Sequence, residues 1–232
     1  MRGGAGYRQK GLRLSPVDRA TENKTAVILR NLYMKTGIFG GTFDPVHIGH
    51  IRAAKAFLSE AGLDRLYLLP NFIPPLKDNK GAPAKDRLEM LKIAFNGTEK
   101  ALVDDFELKN GGTSYTYKTI GHYKELFPDD EIFLLIGDDN LRIFEKWVRF
   151  EYILENSVIY VALRSGENTV CDTKRAAVGI MQKYKADIRL LYYTPTVISS
   201  SELRKAICEN TLSPDYLVPG VYEYIRKKGL YR

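Results

Sequence analysis

Three histidines occur in the 232 residues, and two of them, His47 and His50, stand three apart in the segment Gly40-Gly41-Thr42-Phe43-Asp44-Pro45-Val46-His47-Ile48-Gly49-His50. Glycines let backbone N–H groups approach phosphate oxygens closely, and a helix start adds unpaired N–H groups and the positive end of its dipole. Once a helix has begun, residues three apart project from one side and reach one ligand. Phosphate contact is the chemistry this pattern suits best. The alternatives are helix-capping or core histidines, and a metal pair, for which no third ligand is evident.

The flanking residues have to position that segment. An apolar run, Thr36 to Phe39, reads as a strand before it. A helix is expected from Ile48, with Ile51, Ala54, Leu58 and Ala61 near one face and Gly62 as its stop. The pattern then repeats. Strands are predicted at Leu66 to Leu69, Ile132 to Ile136, Val158 to Leu163 and Ile188 to Tyr193, with an edge strand at Ala101 to Leu108. Helices are predicted with Leu88, Leu91 and Ala94 on one face, and over Tyr115 to Leu126, Ser200 to Cys208 and Val218 to Lys228. Residues 71 to 84 read as a Pro-rich loop. Alternating strands and helices predict a single doubly wound α/β domain over residues 34–232, its sheet mostly parallel and Rossmann-like, with ligands beyond the carboxyl ends of the strands.

Composition narrows the function classes. Hydrophobic residues make up 44% and charged residues 27%, ordinary globular usage, and no apolar run approaches the length of a membrane span. The two cysteines, Cys171 and Cys208, are too few for a disulfide framework, so a reducing cytoplasm is the expected compartment. Of the net charge of +7, residues 1–33 carry +5. That Gly-rich head reads as a disordered basic extension upstream of a start at Met34, with an arm for nucleic acid as the alternative.

The residues around His47 and His50 resemble the HxGH signature of nucleotidylyltransferases, although His-Ile-Gly-His also occurs in class I aminoacyl-tRNA synthetases. Ile198-Ser199-Ser200-Ser201-Glu202-Leu203-Arg204 resembles the ISSTxIR motif of small adenylyltransferases, and no Lys-rich KMSKS loop is visible. Pro74-Pro75-Leu76-Lys77, Gly111-Gly112-Thr113-Ser114-Tyr115-Thr116, Ile136-Gly137-Asp138-Asp139 followed by Trp147, and the tail from Leu217 to Tyr231 are similar to blocks of bacterial nicotinate-mononucleotide adenylyltransferases. Leu76 stands where that family usually has His, and Thr113 where it usually has Pro. Phosphopantetheine adenylyltransferase, usually shorter and with Thr in place of His47, is the nearest enzymatic rival. A silent nucleotide-binding regulator is the non-enzymatic one.

The resemblance implies transfer of AMP from ATP to nicotinate mononucleotide. It implies catalytic roles for His47, His50, Lys77 and Arg204. ATP contacts are expected from Gly40, Gly41, Thr42, Phe43, His50, Gly137, Asp139, Ile198, Ser199, Ser200 and Arg204. Thr113, Ser114, Tyr115 and Trp147 are expected at the acceptor nucleotide, Trp147 by stacking on the pyridine ring. Ser114 is also a candidate helix cap, and Asp138 is expected to face water. Magnesium is expected with ATP and without protein ligands, since no carboxylate cage is evident. Removing residues 1–33 should leave turnover unchanged in a pyrophosphate-release assay, and a large loss would make the head a working part.

Overall fold

The computed structural model of the chain describes residues 33–75, 81–163, 167–196 and 198–232. The strands are β1 (Lys35–Gly41), β2 (Arg65–Pro70), β3 (Ala101–Val103), β4 (Glu131–Gly137), β5 (Val158–Ala162) and β6 (Ile188–Leu191). The helices are α1 (Ile48–Glu60), α2 (Ala84–Phe95), α3 (Phe106–Asn110), α4 (Thr116–Leu126), α5 (Asp138–Leu141), α6 (Phe150–Asn156), α7 (Glu167–Tyr184), α8 (Ser200–Cys208) and α9 (Pro219–Lys228). Short 3-10 turns lie at Phe144–Lys146 and Pro214–Tyr216.

Successive side chains of a strand point to opposite faces, so an unbroken apolar strand needs cover on both. In β4, Ile132, Leu134 and Ile136 pack in one core with Ile120 and Tyr123 of α4 and Ile153 of α6. Phe133 and Leu135 pack in the other with Phe57 of α1, Met90 of α2 and Val221 of α9. The six strands are parallel in the order β3-β2-β1-β4-β5-β6. The order in which the chain adds strands reverses between β1 and β4, so the loops that leave these two parallel strands flank the crevice where ligands bind in such folds.

The expected α1 ends as its sequence implied. Gly62 has φ +61 and Leu63 N–H donates to Leu58 O at 3.0 Å, a left-handed glycine closing the helix. Other expectations need correction. The predicted edge strand, Ala101 to Leu108, stops at Val103, because the Asp104 carboxylate accepts the N–H of Phe106 at 2.8 Å and starts α3. The last strand ends at Leu191 rather than Tyr193, where Tyr192 N–H turns to the Glu60 carboxylate at 2.9 Å. The buried face of α2 is Arg87, Met90, Leu91 and Phe95, so of the expected Leu88, Leu91 and Ala94 only Leu91 is fully buried. Helix α7 was not anticipated. Its buried stripe is Thr173, Ala177 and Ile180, small and polar enough to hide the period.

Residues Met34–Arg232 form one compact unit. The expected disordered head lies, apart from Tyr33, outside the described residues.

Candidate active site at the β1 and β4 carboxyl ends

The loop from β1 to α1 carries the two histidines, and its conformation explains them. His47 is the N-cap of α1, with Nδ1 accepting the N–H of Gly49 at 3.2 Å, and His50 sits at the third helical position, its Nδ1 accepting the N–H of His47 at 3.3 Å. The two imidazoles thus form a reciprocal capping box, the arrangement in which two orphan helix donors are satisfied at once. The capping alternative is therefore realised. It does not remove the histidines from chemistry. A neutral ring whose Nδ1 accepts carries its proton on Nε2 and is a donor there. The rings lie against each other, tilted by 36° with centroids 3.8 Å apart. Gly49 suits this packing, since a Cβ there would stand 3.0 Å from two atoms of the His47 ring, which would have to give way.

Side chains from elsewhere hold the loop by its carbonyls. Arg87 of α2, fully buried, donates to Thr42 O at 2.7 Å, Asn71 O at 2.7 Å and Ala82 O at 3.2 Å. Arg204 of α8 donates to Asp44 O at 2.8 Å and stands 3.6 Å from the Asp44 carboxylate. Ser200 Oγ donates to Pro45 O at 3.1 Å. The Asp44 carboxylate, itself buried, accepts Tyr231 Oη at 2.6 Å and Ala82 N–H at 2.9 Å. Burial pulls the Arg87 guanidinium below its usual pKa, and burial with the Asp44 contact pushes the Tyr231 phenol up.

Helix α8 is capped by Ser199, whose Oγ accepts the N–H of Glu202 while Glu202 accepts the N–H of Ser199. Glu202 is held below the usual carboxylate range by these bonds. Ser200 does not share the cap but bridges to the first loop. Thr196, just upstream, accepts from Arg52 of α1 at 3.0 Å. The amino ends of α1 and α8 therefore converge on one loop. Ile198 lies against the core beside them.

Other expected residues are dispersed as follows. Gly40 and Gly41 end β1, and Phe43 is buried with φ +49, its ring 5.1 Å from that of His50, so it can offer a ligand only backbone. Gly137 ends β4 and precedes α5, where Asp139 is exposed. Asp138, expected to face water, is instead buried and paired with Arg142 at 2.9 Å. Gly111 and Gly112 both adopt left-handed φ and turn the chain so that Thr113 bridges Ile73 and Ser114 N–H donates to Ile73 O. The cap of α4 is Tyr115 rather than Ser114, whose hydroxyl accepts the N–H of Phe72 at 2.9 Å. Trp147 is half-buried, its ring 5.1 Å from Phe144. Arg149, two residues on, lies over the Tyr117 ring of α4 at 5.2 Å, which brings the Trp147 segment to the Thr113–Tyr115 turn. Lys77 and Leu76 lie outside the described residues. Among the described residues no group of three His, Cys, Asp or Glu could hold a metal ion.

Residues 38–206 match the cytidylyltransferase-like family model. Over 200 residues the chain is 36% identical to the probable nicotinate-nucleotide adenylyltransferase of Caldicellulosiruptor bescii, covering 86% of this chain and 100% of that one. The chain belongs to the nicotinate-nucleotide adenylyltransferase family. Another member, the probable enzyme of Neisseria meningitidis serogroup C, is 34% identical over 199 residues, 85% of this chain and 98% of its own. Plasmodium falciparum nicotinic acid mononucleotide adenylyltransferase, solved in complexes with APC and with NaAD, superposes with a TM-score of 0.68 over 86% of this chain and 98% of that one, at 19% and 20% identity, and shows the shared fold. Family membership and sheet order agree with the doubly wound expectation.

Sequence reasoning missed Arg87, Asn71, Glu107 and Tyr231. Arg87 left a signal, since a cation spaced three and four residues from Met90 and Leu91 falls on the apolar face of its helix, and Tyr231 left one as the end of the tail block similar to the family's. Replacing Arg87 with Met should strand buried carbonyls and lower stability by about 3–5 kcal/mol, read from urea unfolding midpoints; a change below about 1 kcal/mol would show that the loops do not depend on this clamp.

Proposed function

We infer that the protein transfers AMP from ATP, taken as its magnesium complex, to nicotinate mononucleotide, releasing pyrophosphate and the deamido dinucleotide. The observation that carries the reading is the convergence of the α1 and α8 amino ends on the first loop, in a chain of this family. Two helix ends with their N–H groups and dipoles make a site for a polyphosphate.

The acceptor phosphate is itself the nucleophile. It is largely dianionic at neutral pH, so an oxygen can attack the α-phosphorus without a general base, the bond to the β-phosphate bridging oxygen breaks, and no proton need move. What the protein has to supply is alignment of two anions and donors for the charge that develops. His47 donates from Nε2 to the α-phosphate and His50 to the ATP phosphates, both rings oriented by their capping bonds. Gly40, Gly41, Thr42 and Phe43 contribute backbone, and Arg204, with Ser199 and Ser200 at its helix end, takes the β and γ phosphates. Lys77 adds a cation from the Pro-rich loop. Gly137 and Asp139 receive the adenosine side, with Asp139 accepting from hydroxyls.

Trp147 stacks on the pyridine ring, and the turn Thr113 to Tyr115 receives the nicotinate carboxylate through N–H groups. Nothing among the described residues supplies a set of protein ligands for the magnesium, which we place on phosphate oxygens and water. No helix of the described residues is long and apolar enough to cross a membrane. A cytoplasmic location belongs to the same proposal, supported by the free, exposed Cys171 and Cys208.

Pyrophosphate release from ATP should require nicotinate mononucleotide and be weaker with nicotinamide mononucleotide or phosphopantetheine; preference for phosphopantetheine in a side-by-side assay overturns the assignment. His47→Ala should lower kcat by about 10²–10³-fold with little change in ATP affinity. Trp147→Ala should raise the acceptor KM by about three- to tenfold, and an unchanged KM would return the ring to the core.

A further inference from the structure

Glu107 is a buried carboxyl to which the chemistry above gives no task. It projects from α3 with 7% of its surface exposed and accepts hydrogen bonds from three neutral donors on three different segments. Thr119 of α4 donates its hydroxyl at 2.7 Å. Asn71, the first residue after β2, donates its amide at 3.0 Å. The Ser114 hydroxyl is the third donor. Burial pushes the Glu107 carboxyl above its ordinary pKa, against the opposing pull of these three bonds. Its partners are neutral, so no ion pair offsets the burial. Packing alone would be better served by an apolar group.

The three donors are not scattered at random. Asn71 N–H donates to Gly41 O at 2.9 Å, and a Cβ on Gly40 would stand 3.9 Å from Glu107 Oε1, so the carboxylate lies under the end of β1 where the triphosphate loop begins. Ser114 and Thr119 bracket the amino end of α4, and with Glu107, Thr113 and Tyr115 they line a cleft of about 100 Å³ beside the Gly111-Gly112 turn. Both glycines have φ above +60 and nothing near the space a Cβ would fill, so neither is held by packing from its own side. The turn is therefore fixed from beneath, by Ser114 N–H on Ile73 O and by the Ser114 hydroxyl between Phe72 N–H and Glu107. With its proton directed to Glu107 and its lone pair to Phe72, the Ser114 side chain faces the protein. What the turn can present to a ligand is its backbone.

We propose that Glu107 is a positioning residue for the acceptor nucleotide, setting the turn Thr113 to Tyr115 at a fixed offset from the loop that holds ATP. This deepens the adenylyltransferase reading and rests on it. A carboxylate does this better than its amide because it accepts from all three donors at once, whereas glutamine must direct an N–H₂ group at one of them.

The test is steady-state kinetics of the full chain with each substrate varied in turn. Glu107→Gln should raise the KM for nicotinate mononucleotide at least tenfold, with the KM for ATP and kcat each within threefold of the wild type. Adding Asn71→Asp, so that the new amide of residue 107 meets a carboxylate, should return the acceptor KM to within threefold. Should Glu107→Gln not fold, Thr119→Val removes one donor and is read by the same split. An acceptor KM unchanged within twofold, KM values for the two substrates that rise together, or a double variant no better than the single one overturns the role of Glu107 while leaving the enzyme assignment intact. Failure of the wild type to turn over nicotinate mononucleotide would remove both.

Discussion

The arrangement depends on how the loop between β1 and α1 disposes its backbone. Three of its carbonyls are taken from outside, Thr42 by Arg87, Asp44 by Arg204 and Pro45 by Ser200. A trans peptide plane carries its carbonyl and its N–H in opposite directions. Holding Thr42 O and Pro45 O therefore turns the N–H groups of Phe43 and Val46 away from Arg87 and Ser200 respectively. A loop that binds phosphate needs its N–H groups outward and its carbonyls occupied, and a short Gly-rich segment does not settle that by itself. Here two guanidiniums and a hydroxyl settle it, and Arg87 is buried so completely that its charge is spent on main chain.

The same economy applies to the histidines. Capping and phosphate contact looked like competing explanations for His47 and His50, yet an imidazole has two nitrogens and the structure uses one of each for the cap. The cap selects the tautomer, and the tautomer determines which atom donates. Gly49 completes the set, because the His47 ring occupies the space where its side chain would be. Local helix chemistry thus leaves the Nε2 atoms of both rings outside the cap.

Chain order also couples distant segments to that loop. Tyr231, next to the last residue, donates to the Asp44 carboxylate, which in turn accepts the N–H of Ala82 at the base of the Pro-rich loop. Gly81 is compelled by the same contact, since a Cβ there would overlap the Asp44 carboxylate. The tail block that resembled the family's closing motif is explained by this geometry.

Much of the protein was legible in its residues. Unbroken apolar runs in β4 and β5 announced strands buried on both faces, Gly62 announced the end of α1, and the Gly-rich turn before His47 announced the start of that helix, because each of these signals is local and repeats a period or a backbone preference. Short α3 and polar α7 escaped for the opposite reason: a carboxylate cap at Asp104 overrode a strand-like run, and α7 buries threonine and alanine where large apolar residues would have shown the period. Apart from the cation on the apolar face of α2 and the tail block ending at Tyr231, the residues whose contacts align the site left no pattern. Arg87, Glu107 and Asp138 are ordinary surface types by sequence, and each became buried because long-range packing brought carbonyls, hydroxyls or an opposite charge to it, while half-buried Tyr231 turned its hydroxyl to Asp44. Sequence by itself determined which segments could be strands, helices and anion-binding turns. Only the tertiary structure decided which polar groups would lose water and have to find partners, because desolvation is a property of the assembled neighbourhood and not of the residue.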